Sequence, residues 1–107
     1  MSMAALVRIC SKAELPASGE LREVVAGGAS GKVLCIANVA GEYAAIDNEC
    51  PHRGGPLAEG TIEDGKVMCP WHAWAFDLKT GACDASPGEK VAVYELEVSG
   101  EDVLVRL

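Results

Sequence analysis

Two short clusters, Cys50-Pro51-His52 and Cys69-Pro70-Trp71-His72, each set one thiol and one imidazole within a few residues of chain. Sixteen residues separate His52 from Cys69, and the chain's only two histidines are both used here. Thiolate and neutral imidazole are metal ligands, so the pattern points to a metal centre. Zinc sites of the Cys2His2 class pair Cys with Cys and His with His along the chain. Here the two types interleave. In a mixed-ligand two-iron, two-sulfide centre, two Cys hold one iron and two His hold the other. That set matches what each cluster supplies. Zinc is the alternative, and an iron–sulfur absorption spectrum with two irons per chain would exclude it. No nucleophile with its base, phosphate loop or carboxylate acid–base pair stands elsewhere in the sequence. With both histidines used as ligands, no obvious general base is left.

The elements that must position these residues read as short strands joined by tight turns. Leu6 to Cys10 is expected to be a strand, followed by one helical turn capped by Ser11 and stopped by Pro16. Leu21 to Ala26 and Lys32 to Val39 flank a glycine-rich stretch and read as a hairpin. Glu42 to Asp47 follows Ala40-Gly41 and runs straight into the first cluster. Thr61-Ile62-Glu63 and Lys66-Val67-Met68 are joined by Asp64-Gly65, the two-residue signal for a tight hairpin, whose second strand delivers Cys69. Ala75-Phe76-Asp77 and Ala82-Cys83 flank a further turn. Val91 to Val98 sets Ala92, Tyr94, Leu96 and Val98 at every second position with Glu95 and Glu97 interposed, the period of a half-buried strand, and Val103 to Leu107 is its partner.

At 107 residues the chain is expected to form one domain. Its five aromatic residues leave a core resting on Val, Ile, Leu and Ala, and twelve glycines and five prolines punctuate it often. A net charge of −7 argues against a nucleic-acid surface and favours a partner with a basic patch. No apolar run approaches the ~18 residues needed to span a bilayer, and the first residues lack the blocks of a signal peptide. The odd number of cysteines, five, fits a reducing compartment, so a soluble cytoplasmic protein is expected. Cys10, Cys35 and Cys83 have no nearby His and read as small buried hydrophobes.

The pattern Cys-x-His, then fifteen to seventeen residues, then Cys-x-x-His resembles the signature of the Rieske family. The flanking residues add to it: Gly54 and Gly55 after His52, Pro56-Leu57 leading into a turn, and Trp74-x-Phe76-Asp77 after His72. The resemblance covers almost the whole chain. It implies an all-β, Rieske-like antiparallel sandwich or barrel of three sheets within a single domain, 1–107. A cluster-binding subdomain is inserted at about 48–87. It makes Cys50 and Cys69 ligands of the inner iron of one [2Fe-2S] cluster. His52 and His72 become ligands of the outer iron, and 84–88 a loop covering the site.

Replacing two thiolates by neutral imidazoles lowers the negative charge of the oxidised cluster. The potential then rises from about −400 mV to roughly −150 to +300 mV. High-potential members of the family carry a Ser and a Tyr where Trp74 and Phe76 stand here, and a loop-to-loop disulfide where Gly55 and Trp71 stand. The resemblance therefore implies the low end, roughly −150 mV. The family's usual glycine after the second His is replaced by Ala73. By the same resemblance the chain is a soluble ferredoxin and not itself an enzyme. It would carry one electron from a flavin-dependent NAD(P)H reductase to a terminal oxygenase or similar acceptor. The alternative is a small subunit or accessory module of a larger reductase, such as assimilatory nitrite reductase.

Overall fold

The computed structural model describes residues 6–25, 33–50, 55–70, 74–83 and 88–106. Among these, nine strands follow in order: β1 (Leu6–Ser11), β2 (Leu21–Val25), β3 (Val33–Val39), β4 (Glu42–Asp47), β5 (Thr61–Glu63), β6 (Lys66–Met68), β7 (Ala75–Asp77), β8 (Val93–Ser99) and β9 (Asp102–Arg106). Two single-turn 3-10 segments, Lys12–Glu14 and Leu57–Glu59, are the helical content of the described residues. Every strand pair is antiparallel. Six strands form one sheet in the order β1-β9-β8-β4-β3-β2, and β5-β6-β7 form a second.

The three sheets implied by the resemblance are thus two, because β8 serves two neighbours. Its first residues, Val93 and Tyr94, pair with Ile46 and Ala45 of β4, while Glu95 to Ser99 pair with β9. The Tyr94 hydroxyl donates to Asp47 Oδ1 at 2.7 Å and reinforces that junction. The six-stranded sheet separates two cores. Along β3 the side chains alternate: Leu34 and Ile36 pack with Ile9, Val24, Ala45, Val103 and Val105, while Cys35 and Ala37 turn to the opposite core. Apolar contact on both faces explains why Leu34 to Ala37 is an unbroken buried run rather than a polar–apolar alternation. The second core holds Ile46, Cys50, Leu57, Val67, Cys69, Phe76, Leu78, Cys83 and Val91, and carries the site.

Local signals account for most boundaries. Glu14 accepts the Ser11 backbone N–H at 2.8 Å, fixing the first 3-10 turn as the Ser11 cap anticipated. Asp64 and Gly65 take φ of 51° and 74°, both left-handed, as a two-residue hairpin turn demands. Two expected strands are shorter. Ala82 and Cys83 make isolated bridges to Lys90 and Phe76 rather than a strand. Val91 precedes β8 instead of opening it, because its N–H turns back to the Gly81 carbonyl at 3.0 Å. Gly81 has φ 81°, and a Cβ there would overlap the Val91 carbonyl, so only glycine permits this contact. Among the described residues no helix is long and apolar enough to cross a membrane.

Candidate metal centre

Both cysteines of the two clusters lie in the site-bearing core. Cys50 is fully buried and Cys69 is 2% exposed. Each opens a six-residue loop closed by the same bond. The Cys50 N–H donates to the Gly55 carbonyl at 2.9 Å, and the Cys69 N–H donates to the Trp74 carbonyl at 2.8 Å. His52 and His72, with Arg53, Trp71, Ala73 and 84–87, lie outside the described residues. The structure therefore places two of the four expected ligands and the base of each loop.

The two loops stand on different supports. Below the second, the ladder continues through Met68↔Ala75, Val67↔Phe76 and Lys66↔Asp77, so the loop is the tip of the β6–β7 hairpin. Below the first there is one bridge, Glu49↔Pro56. Beneath it the Leu57 N–H donates to the Asn48 carbonyl at 2.7 Å, and the Ala58 N–H donates to Asn48 Oδ1 at 2.8 Å. The Leu57–Glu59 turn that results drives the fully buried Leu57 side chain into the same core as Cys50 and Cys69. Gly60, next in sequence, ties the two supports together. A Cβ there would overlap the Met68 carbonyl, one residue before Cys69.

Asn48, Leu57 and Gly60 are parts of the site that the sequence did not single out. The sequence marks Leu57 only as leading into a turn, and no periodicity marks a lone asparagine or glycine. Aromatic packing completes the second loop's floor: Trp74 and Phe76 have ring centroids 6.5 Å apart, tilted by 52°. Phe76 is fully buried and Trp74 partly so.

No disulfide joins any of the five cysteines, and all are buried. Burial pushes the Cys10 thiol up, and it pushes Cys35 up to about 12. Both stay protonated at neutral pH and behave as small apolar residues. Cys83 sits in the same core as Cys50 and Cys69, its N–H donating to the Glu89 carbonyl at 3.2 Å.

The family model for the Rieske [2Fe-2S] domain matches residues 5–95. The chain belongs to the Rieske family. A Rieske domain carries one [2Fe-2S] cluster per chain, and buried, disulfide-free thiols at two loop bases suit that soft-ligand group. Apoptosis-inducing factor 3 from Homo sapiens is 38% identical over 90 residues, 83% of this chain, but the chain spans only 14% of that protein's length. The 3-phenylpropionate/cinnamic acid dioxygenase ferredoxin subunit of Escherichia coli K12 is 38% identical over 77 residues, 70% of this chain and 73% of that protein.

Among solved structures, the ferredoxin of Sphingomonas yanoikuyae B1 superposes with a TM-score of 0.81 at 28% identity, covering 96% of this chain and 99% of its own. The ferredoxin-and-oxygenase complex of carbazole 1,9a-dioxygenase contributes a chain with a TM-score of 0.79 at 27% identity, covering 96% and 94%. A structure described as a nitrite reductase small subunit from Mycobacterium tuberculosis has a TM-score of 0.85, covering 99% and 97%; at 22% identity this is likeness of fold alone.

Proposed function

We propose that Cys50 and Cys69 hold the inner iron and His52 and His72 the outer iron of the cluster, and that the chain is a one-electron carrier. The observation that carries this reading is the matched pair of loops, each with a buried cysteine at its base, the same closing bond and a histidine in its sequence. The cluster supplies reversible one-electron chemistry. The chain's own part is to keep two thiols dry and to fix the two loop bases against each other through Leu57 and Gly60. The relatives named as ferredoxin components of oxygenase systems support transfer, not turnover, as the role.

The donor in this reading is a flavin-dependent NAD(P)H reductase and the acceptor a terminal oxygenase or comparable enzyme. Support comes from the dioxygenase ferredoxin subunit among the relatives and from the ferredoxin seen in complex with an oxygenase. The net charge of −7 favours basic docking patches on those partners, with rates that fall as salt rises. We read 1–107 as one cytoplasmic domain, with about 48–87 as the insert that carries the cluster.

The test is anaerobic purification with iron and sulfide analysis, and spectroscopy of the dithionite-reduced protein. Two irons per chain and a mixed-ligand signal, both lost in Cys69→Ser, are the expected outcome. A correctly folded, colourless, iron-free protein overturns the reading. The midpoint potential should lie near the low end of the mixed-ligand range, roughly −150 mV. Phe76→Tyr should raise it by offering a hydroxyl donor beside the cluster, and an unchanged or lower value rejects that role for position 76.

A further inference from the structure

We infer that Asn48 is a positioning residue for the first ligand loop, standing in for the strand ladder which that loop lacks. The inference rests on the ligand reading above and extends it to a residue two positions before Cys50. Beneath Cys69 three residue pairs of a regular hairpin fix the loop. Beneath Cys50 one bridge, Glu49↔Pro56, does the same work, and the chain then leaves the ladder for the Leu57–Glu59 turn.

Asn48 takes up the difference with both of its carbonyls. Its backbone oxygen accepts Leu57 N–H at 2.7 Å, and its side-chain oxygen accepts Ala58 N–H at 2.8 Å. Its own N–H donates to the Val33 carbonyl at 3.3 Å, so the clamp is anchored in β3 of the six-stranded sheet. The residue is 6% exposed, and neighbouring Leu57 is fully buried against the core that holds both cysteines.

The side-chain bond satisfies a helical-turn N–H that would otherwise have no intra-turn partner. It also fixes the direction in which the chain leaves the loop. An asparagine fits because a carboxamide oxygen reaches one residue beyond the last backbone rung without placing a formal charge beside the metal centre. Alanine keeps the backbone bond and loses the side-chain one, leaving the Ala58 N–H without its acceptor at the edge of the core. A bond of this kind corresponds to about a tenfold change in the open–closed equilibrium of the Leu57–Glu59 turn.

The experiment compares holoprotein of wild type, Asn48→Ala and Asn48→Asp. Asn48→Ala should fold, with an unchanged far-UV spectrum, yet lose its cluster about tenfold faster under chelator. Its reduced-state electron paramagnetic resonance signal should broaden or shift, a signature that a merely remote structural role would not move. Asn48→Asp keeps an acceptor oxygen and should restore the cluster lifetime, while the charge it adds beside the metal centre lowers the midpoint potential. Wild-type lifetime and line shape in Asn48→Ala would overturn the inference.

Should Asn48→Ala fail to fold, hydrogen exchange of the wild-type holoprotein decides. A peptide covering residues 56–60 should be protected to the level of the β6–β7 hairpin, and exchange at the rate of an open loop overturns the inference. Iron-free wild-type protein overturns the ligand assignment instead. The exchange measurement on that folded protein then still tests the clamp.

Discussion

The two segments that deliver Cys50 and Cys69 solve one problem with different materials. Each begins at a two-residue turn, runs through a strand, β4 or β6, and ends at a buried cysteine whose N–H closes a six-residue loop. The β6 segment belongs to a separate three-stranded meander and is held by its own ladder. The β4 segment is an inner strand of the large sheet, and past Asp47 its loop is held by side-chain and 3-10 contacts instead. Regular backbone pairing supports the loop carried by the second sheet. Tertiary packing serves the loop that grows out of the large sheet.

The largest expected effect that separates the two supports is alkaline. Cys35 lies on β3 directly opposite Ile46 of β4, under the first loop's strand. Burial is the main cause of its raised pKa, about 12 against an ordinary 9.0, and Glu23, its partner on β2, adds to it. The folded-state value is the higher one, so the unfolded chain gives up this proton first. The stability tied to Cys35 is complete below pH 9 and is lost as pH climbs from about 9 toward 12, by at most about 4 kcal/mol. Thermal unfolding followed from pH 8 to 11 should show a steeper decline for wild type than for Cys35→Ala. Parallel declines would remove Cys35 as the source.

The opposite sign applies beneath the second loop, with a smaller effect. Asp77 ends β7 and accepts the backbone N–H groups of Lys79 at 2.7 Å and Thr80 at 3.0 Å, which hold its carboxyl below the usual range. A lowered folded-state value means that the contribution is present above pH 4 and disappears as pH falls through the folded-state pKa. The group is largely solvated, so screening keeps the effect slight. Asp77→Asn should flatten the acid side of the stability profile and leave the alkaline side unchanged. A variant whose acid limb matches wild type removes Asp77 from the account.

How much of this was legible in the sequence depends on whether a feature is local. Cys50-Pro51-His52, Cys69-Pro70-Trp71-His72, the Asp64-Gly65 turn and the Ser11 cap each act within a few residues and were read without a structure. Asn48 was not, because its acceptors serve Leu57 and Ala58 across a loop, and nothing in the residue type reveals that. The passage of β8 from β4 to β9 was hidden for a similar reason, since strand alternation records burial but not the identity of the neighbour. Val91 looked like the first strand residue because it is apolar. Its inward turn depends on Gly81, ten residues away, leaving space for a carbonyl.

The smallest effect tests the turns at which both delivering strands begin. Ala40-Gly41 opens β4 with φ of 54° and 93°, close to the 51° and 74° of Asp64-Gly65 before β6. Aspartate and asparagine tolerate the left-handed region, whereas alanine meets a steric cost there of roughly 1–2 kcal/mol. The surroundings hold Ala40 in place: Asn38 Oδ1 accepts the Gly41 N–H at 2.8 Å, while Asn38 Nδ2 donates to the Pro16 carbonyl at 2.9 Å. The strained turn therefore belongs to the segment supported by tertiary contacts, and the relaxed one to the segment that relies on its own hairpin.

Exchanging the chemistries should reverse the signs. Ala40→Asn should stabilise by up to about 1 kcal/mol, and Asp64→Ala should destabilise by a similar amount. Ala40→Gly should gain less than Ala40→Asn, because glycine's extra freedom in the unfolded chain offsets part of the relief. Denaturant midpoints at unchanged slope measure all three. If Ala40→Asn left the midpoint where it is while Asp64→Ala lowered it, the large sheet would be absorbing the turn's strain completely. The division of labour between the two supports would then extend to their turns as well as their loops.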